Sequence, residues 1–263
     1  MPELPEVEIQ LNYLRGTALG RTIRKVSVFE SRIIKNHSVS SFKRRLAGRR
    51  LVGASRRGKY LIVELDRGGI LVLHFGMGGD LQYYRAPEPR PRFTRVELVL
   101  DNGYRLAFTC PRNICRVMSV KSASEVPGLR DMGPEPLCKA FTLSIFTKVI
   151  ESGGSRRPIK ALLMDQTRIA GIGNIYADQI LFEAGIRPVR KGSSLATAEM
   201  SRVHRSIRRV LKKALGTASD EELPSHYIYS RDFRGEGCPT CGNPFVKTRV
   251  GGRTTRYCGV CQE

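Results

Sequence analysis

The stretch CPTCGNPFVKTRVGGRTTRYCGVC, residues 238–261, opens and closes on paired cysteines. Two residues separate Cys238 from Cys241, two separate Cys258 from Cys261, and Gly242–Tyr257 lie between the pairs. Knuckles at this distance gather four thiolates around one Zn2+ ion. Four thiolates leave no coordination position open, so the metal is expected to be structural. Gly251-Gly252 marks a turn midway, with Lys247, Arg249, Arg253 and Arg256 around it. The spacing predicts a zinc-held β-hairpin with a basic tip, a shape that suits phosphate oxygens.

The rest of the chain is basic as well. Lys and Arg number 45 against 24 Asp and Glu, a formal charge of +21 over 263 residues. Such an excess opposes compaction and favours a polyanionic partner, nucleic acid first and an anionic membrane surface second. Arg dominates many of the clusters, and its planar fork of donors matches phosphate. No apolar run approaches the roughly 18 residues of a spanning helix. The start, Pro2-Glu3-Leu4-Pro5-Glu6, lacks the basic residues and apolar run of a secretory signal. A cytoplasmic, nucleoid-associated protein is expected. In that setting seven cysteines point to metal ligands or free thiols rather than disulfides.

Moving back from the finger, Val203, Ile207, Val210, Leu211 and Ala214 share one face of a helix expected over 199–215. Arg202, Arg205, Arg209 and Lys212 form a separate basic stripe, either a solvated face or a DNA-backbone contact. Further back, Gly171-Ile172-Gly173-Asn174 breaks two helical patterns. Asn174 reads as the N-cap of a helix ending at Gly185, and Pro158 as the first turn of a helix over 159–168. The glycine turn is either an ordinary break between packed helices or, with Lys160 before it, a phosphate cradle of helix N-terminal N–H groups. Another helix is expected over 141–152. The Pro- and Gly-rich stretch 127–136 reads as a linker.

Residues 23–120 change period. Short apolar runs such as 60–65, 70–74, 96–100 and 105–109 are broken by Gly, Asp and Asn, with Asp101-Asn102-Gly103 as a hairpin turn. This is the pattern of a β-sandwich or barrel. His74-Phe75-Gly76-Met77-Gly78-Gly79 presents an apolar Met77 from a glycine-rich turn. Met77 is either a buried hairpin residue or a wedge that enters a base stack when a nucleotide flips out. At the N-terminus Leu4, Val7, Leu11, Leu14 and Ala18 predict an amphipathic helix. Pro2-Glu3 suits ordinary helix initiation, Pro for the first turn and Glu for the positive dipole end. By itself that is the simpler reading, but the pair also admits covalent catalysis. With Met1 removed, Pro2 is a secondary amine whose class titrates at about 7.7–8, so a useful fraction is nucleophilic near neutrality.

Taken together, these features resemble the formamidopyrimidine-DNA glycosylase/endonuclease VIII family, nearer the formamidopyrimidine branch. The resemblance rests on Pro-Glu-Leu-Pro-Glu-Val-Glu at 2–8, Gly58-Lys59-Tyr60-Leu61, the His74–Met77 turn, the 171–177 segment and the finger ending at Gln262. It implies an α+β chain. An N-terminal β-sandwich with a leading helix would occupy 1–127, a helix–two-turn–helix domain 128–230, and a zinc-finger β-hairpin 231–263. It implies a bifunctional glycosylase and abasic-site lyase that excises oxidised or ring-opened bases and cuts the strand by β,δ-elimination. The partner would be damaged double-stranded DNA, the protein a monomer, and zinc the sole cofactor. Pro2 would be the Schiff-base nucleophile, Glu3 the proton donor, Lys59 a further catalytic contact and Glu6 an active-site support. His74, Lys160, Asn174 and Arg253 would touch the lesion strand, with Met77, Arg112 and Ile114 filling the void left by the flipped nucleotide. A lesion- or DNA-structure-binding protein of the same fold with little excision activity is the alternative. A zinc-ribbon RNA-binding protein would leave Pro2-Glu3 without a role.

Three positions depart from the family pattern. The usual Asp-Pro-Arg-(Arg/Lys)-Phe-Gly is Cys110-Pro111-Arg112-Asn113-Ile114-Cys115 here, Gln179 replaces an acidic residue, and the segment 215–238 is short. The short segment predicts a less covered base pocket, with ring-opened purines, oxidised pyrimidines or bare abasic sites handled at least as well as 8-oxoguanine opposite cytosine.

Overall fold

The computed structural model describes residues 2–152, 156–216, 227–228 and 237–263. The chain divides into two units, one of Pro2 and Glu6–Asp131, the other of Glu3–Pro5 and Met132–Glu263.

In the first unit, helix α1 (Leu4–Thr17) turns Val7, Leu11 and Leu14 into the core, as its 3–4 spacing predicts. Strands β1 (Ile23–Val28), β2 (Ile34–Lys35), β3 (Leu51–Arg57), β4 (Tyr60–Leu65), β5 (Ile70–His74), β6 (Asp80–Arg85), β7 (Thr94–Leu100), β8 (Tyr104–Thr109) and β9 (Arg116–Val120) follow. They make two sheets, ordered β1-β7-β8-β6 and β2-β9-β5-β4-β3. The core of the sandwich takes Leu61, Val63, Leu71 and Leu73 from one sheet and Val96, Leu98, Leu106 and Phe108 from the other. The Asp101-Asn102-Gly103 turn joins β7 to β8, with Gly103 at φ 81°. Helix α2 (Val39–Leu46) was not anticipated within this β region. Ser38 caps it by accepting from Ser41 N–H, and Phe42 and Leu46, one turn apart, are buried. The linker stretch itself begins with a short helix, α3 (Pro127–Arg130).

One expectation about cysteine is overturned. Cys110 and Cys115 form a disulfide, with Cα atoms 6.3 Å apart. Cys110 directly follows β8 and Cys115 directly precedes β9, so the closing of one short loop brings the thiols within bonding reach.

The second unit packs α4 (Leu143–Glu151), α5 (Ile159–Met164), α6 (Asn174–Ala184) and α7 (Thr197–Gly216) around a core that also includes Leu4. Gly185 ends α6 in the left-handed region at φ 69°, as expected of a C-cap glycine. Two boundaries differ from expectation. Helix α5 stops at Met164 rather than Arg168, because Asp165 turns back to accept from Thr167 N–H and Oγ1. At α6 the cap position belongs to Gly173, and Asn174 is the first helical residue. The hairpin of β10 (Phe245–Val250) and β11 (Arg253–Cys258) completes the unit, with Val250 paired to Arg253 across the Gly251-Gly252 turn. Most of the short segment before the finger, including the expected boundary at 230/231, lies outside the described residues.

Candidate active site and nucleic-acid interface

Pro2 is half-buried and leads directly into Glu3, which is 1% exposed. The Glu3 carboxylate accepts hydrogen bonds from Gly173 N–H at 2.5 Å and Ile175 N–H at 3.0 Å. This contact explains both glycines of the turn. A Cβ on Gly173 would stand 2.2 Å from the Glu3 carboxyl carbon, and one on Gly171, at φ 82°, would stand 2.7 Å from Leu4 Cβ. Leu4 N–H donates to the Gly171 carbonyl at 3.0 Å, and the Gln166 side chain braces the turn by accepting from Gly171 N–H and donating to the Ile172 carbonyl. Two of the N–H groups expected to cradle a phosphate, those of Gly173 and Ile175, are therefore engaged by Glu3. A carboxylate meets the positive end of α6 in place of a side-chain cap. The Asn174 amide oxygen is buried with no hydrogen-bond partner; as an acceptor it does not bind phosphate, so a phosphate contact by this residue would fall to its amide nitrogen. Glu6 lies half-buried in the first turn of α1.

In the first unit, Lys59 sits at the β3–β4 turn, where Gly58 adopts φ 53°, and it is largely buried. His74 ends β5 opposite Tyr60, their rings 4.8 Å apart. Burial, reinforced by the positive charges of Arg116 and Lys59, lowers its pKa from 6.5 to about 4, so the ring is neutral at physiological pH. Nδ1 accepts from Gly76 N–H at 3.3 Å, which assigns the proton to Nε2 and makes that nitrogen a donor.

The two loops expected to bear wedges pack backbone to backbone. A Cβ on Gly76, at φ 54°, would lie 2.7 Å from the Ile114 carbonyl oxygen, and one on Gly79 would lie 2.9 Å from Cys115 Sγ. Met77 is 37% and Ile114 49% exposed, and an Arg112 Nη1 reaches Met77 Sδ at 3.6 Å. The buried reading of Met77 is thereby excluded. Met77, Arg112 and Ile114 are thus exposed on two adjoining loops, while His74 is part-buried at the end of β5.

In the second unit Lys160 is placed otherwise than expected. It is 0% exposed, its ammonium 2.7 Å from Asp178 Oδ1, 2.7 Å from Thr255 Oγ1 and 3.2 Å from the Thr254 carbonyl. Burial pushes its pKa down, while Asp178 and, more weakly, Glu3 pull it up. Asp178 also accepts from Arg256 N–H at 3.2 Å. Lys160 thus joins α5, α6 and β11, and none of its surface is exposed. Arg253 is exposed at the hairpin turn, as expected. Of the basic stripe on α7, Arg209 pairs with Glu183 at 2.6 Å and Arg202 donates to the Ala184 carbonyl, while Arg205 and Lys212 are exposed.

The four finger sulfurs lie within 4.8 Å of one another, with contacts of 3.8 Å for Cys238–Cys261 and 3.5 Å for Cys241–Cys258. A tetrahedral zinc with Zn–S near 2.3 Å requires sulfurs about 3.8 Å apart. Donor type and spacing fit one structural Zn2+. Thr240 N–H and Cys261 N–H point at the sulfurs of Cys238 and Cys258, as thiolate ligands require.

Gln166, Asp178 and the Cys110–Cys115 pair escaped the sequence reading. Gln166 and Asp178 gave no signal of their own, because their partners are distant in sequence. The cysteines did give one, replacing both ends of a recognisable loop motif.

Residues 1–117 match the family model described as the formamidopyrimidine-DNA glycosylase N-terminal domain, 132–222 the corresponding H2TH domain, and 235–263 the zinc finger found in FPG and IleRS. The formamidopyrimidine-DNA glycosylase of Thermus thermophilus is 39% identical over 279 residues, covering 100% of this chain and 98% of that relative. That of Pelotomaculum thermopropionicum is 36% identical over 278 residues, covering 100% and 99%. The crystal structure of the Lactococcus lactis enzyme bound non-covalently to DNA containing an abasic site superposes with a TM-score of 0.90 at 30% identity, covering 99% of each chain. Another structure of the Lactococcus lactis protein, with DNA carrying a formamidopyrimidine lesion, gives 0.89 at 28% identity.

Proposed function

The chain belongs to the formamidopyrimidine-DNA glycosylase family, and from that membership we propose that it excises oxidised or ring-opened bases from duplex DNA and cleaves the abasic strand through Pro2. The observation that carries the catalytic assignment is the seating of Glu3. The residue adjoining the amine has its carboxylate fixed by two backbone N–H groups, which sets an acid–base group next to the nucleophile in the chain.

In this reading the Pro2 nitrogen bonds to the sugar C1′, the base departs with its bonding electrons and takes up a proton, and the amine loses its own. The C1′–O4′ bond then breaks, O4′ taking up a proton as the nitrogen lone pair forms an iminium, and this iminium draws electrons from the adjacent C–H bond. A proton leaves C2′ as the 3′-phosphate departs, and a second elimination releases the 5′-phosphate. Water then hydrolyses the iminium and frees the amine. Glu3 moves protons at the deoxyribose ring. Lys59 and His74, the latter through Nε2–H, receive the lesion strand. Asn174 and Arg253 hold phosphates, while Met77, Arg112 and Ile114 occupy the vacated stack. Lys160 is a positioning residue for the finger. Among the described residues no helix is long and apolar enough to cross a membrane, and we assign the protein to the cytoplasm, acting on the nucleoid as a monomer.

Borohydride trapping tests the assignment. Reduction converts the iminium into a stable amine, so active protein should lack Met1 by intact mass and become covalently attached to abasic-site DNA at Pro2. An adduct mapped to Lys59, or no adduct while the DNA remains bound, would refute it.

A further inference from the structure

The disulfide lies across the base of the loop that the proposed function sends into DNA. Arg112 and Ile114 fall between Cys110 and Cys115 and project to solvent, whereas the cysteines themselves are 0% and 2% exposed. Both ends of the loop are anchored. Cys110 N–H donates to the Phe93 carbonyl at 3.0 Å, and Arg95 Nε donates to the Cys110 carbonyl at 2.9 Å. Cys115 lies against Gly76 and Gly79 of the Met77 loop. Between the anchors, Asn113 takes a left-handed φ of 55° and leaves its amide oxygen buried without a hydrogen-bond partner. The cross-link closes this irregular loop over six residues.

We propose that Cys110 and Cys115 are positioning residues for lesion engagement, and that their disulfide makes this engagement responsive to a dithiol reductant. The proposal rests on the reading that Arg112 and Ile114 fill the vacated stack. Ile114 offers no aromatic face, so its hold depends on shape, and shape depends on a pre-ordered loop. Without the cross-link, the ordering of both side chains is deferred to the binding step and weakens it. A disulfide in a reducing compartment is ordinarily transient or redox-sensing. The redox step is a two-electron exchange. The dithiol gives up two electrons and two protons and becomes a disulfide, the Cys110–Cys115 bond breaks, and two thiols form.

The test compares full-length zinc-loaded protein before and after a dithiol reductant, with Cys110→Ala/Cys115→Ala and Arg112→Ala beside it. Alkylation under denaturing, chelating conditions should count five free thiols before reduction, matching the cysteines outside the disulfide, and all seven after it. Zinc content should stay at one per chain in both states. Binding to a duplex with a stable abasic-site analogue is then measured opposite each of the four bases. Reduction should raise Kd about tenfold, as expected for ordering two side chains on binding, and flatten the opposite-base preference. The double variant should match the reduced protein and ignore the reductant. Single-turnover strand cleavage at saturating enzyme should not change, because Pro2 and Glu3 lie outside the loop. Equal Kd in both verified redox states, a double variant that still responds to reductant, or seven thiols before reduction would each overturn the proposal. Arg112→Ala binding as tightly as the parent in both states would instead defeat the void-filling reading.

Discussion

A methyl group on Gly173 would meet the far end of the Glu3 side chain, not a rigid wall. The backbone there, at φ −123°, suits any residue. Gly173→Ala should therefore fold with little loss of stability while displacing the carboxylate. Excision of a damaged base should fall about a hundredfold, the low end of general acid–base effects, and cleavage of preformed abasic sites should fall less. Single-turnover assays on both substrates, with a melting curve, check this. An unfolded variant would show that the glycine serves the fold and not the site. His74 makes a separate prediction about pH. Its folded pKa, about 4, lies below its ordinary 6.5. Between these values the unfolded chain binds more protons than the folded one. The stabilising preference for neutral His74 is thus complete above pH 6.5 and is lost as pH falls toward 4. From pH 7 to 5 the parent should lose up to about 2 kcal/mol more than His74→Gln in urea titrations.

At the level of elements, the finger depends on the helices as well as on zinc. Lys160 and Asp178 form a fully buried pair that also grips β11. Lys160→Met should cost about 3–5 kcal/mol by leaving Asp178 without its counter-charge, whereas Lys160→Met/Asp178→Leu should recover much of that loss. Urea denaturation of the two variants distinguishes a structural pair from a DNA contact, because a surface phosphate contact would change Kd and leave stability intact. The same elements show where sequence reading succeeds. Periodicity and short apolar runs located α1, the strands β4, β5, β7 and β8, and α7. Sequence reading missed α2, whose eight residues carry two buried apolar anchors and five polar or basic residues, too short a run to outweigh the β pattern around it. It set Asn174 one position early, because the cap of α6 comes from Glu3, 170 residues away. The zinc ligands were legible because their chemistry is local. The buried role of Lys160 was not, since nothing in Pro-Ile-Lys-Ala announces Asp178.

For the whole molecule, the charge of +21 predicts strongly salt-dependent binding. Arg253→Ala should weaken binding to every duplex alike and lower the slope of log Kd against log salt by about one, whereas Arg112→Ala should reduce the preference for lesion over intact DNA. Anisotropy titrations at several salt concentrations separate the two effects, and an unchanged slope for Arg253→Ala would remove that residue from the phosphate contacts. The seating of Glu3 also has a consequence during biosynthesis. Pro2 and Glu3 are translated ahead of the sandwich, every residue of which has been polymerised by Asp131. The amides that hold Glu3 belong to Gly173 and Ile175. At ordinary elongation rates they are added about ten to thirty seconds after it. On the proposed assignment, a nascent or prematurely terminated chain therefore carries Pro2 without a seated Glu3, and competence to excise bases arrives only once the helices of the second unit have been translated.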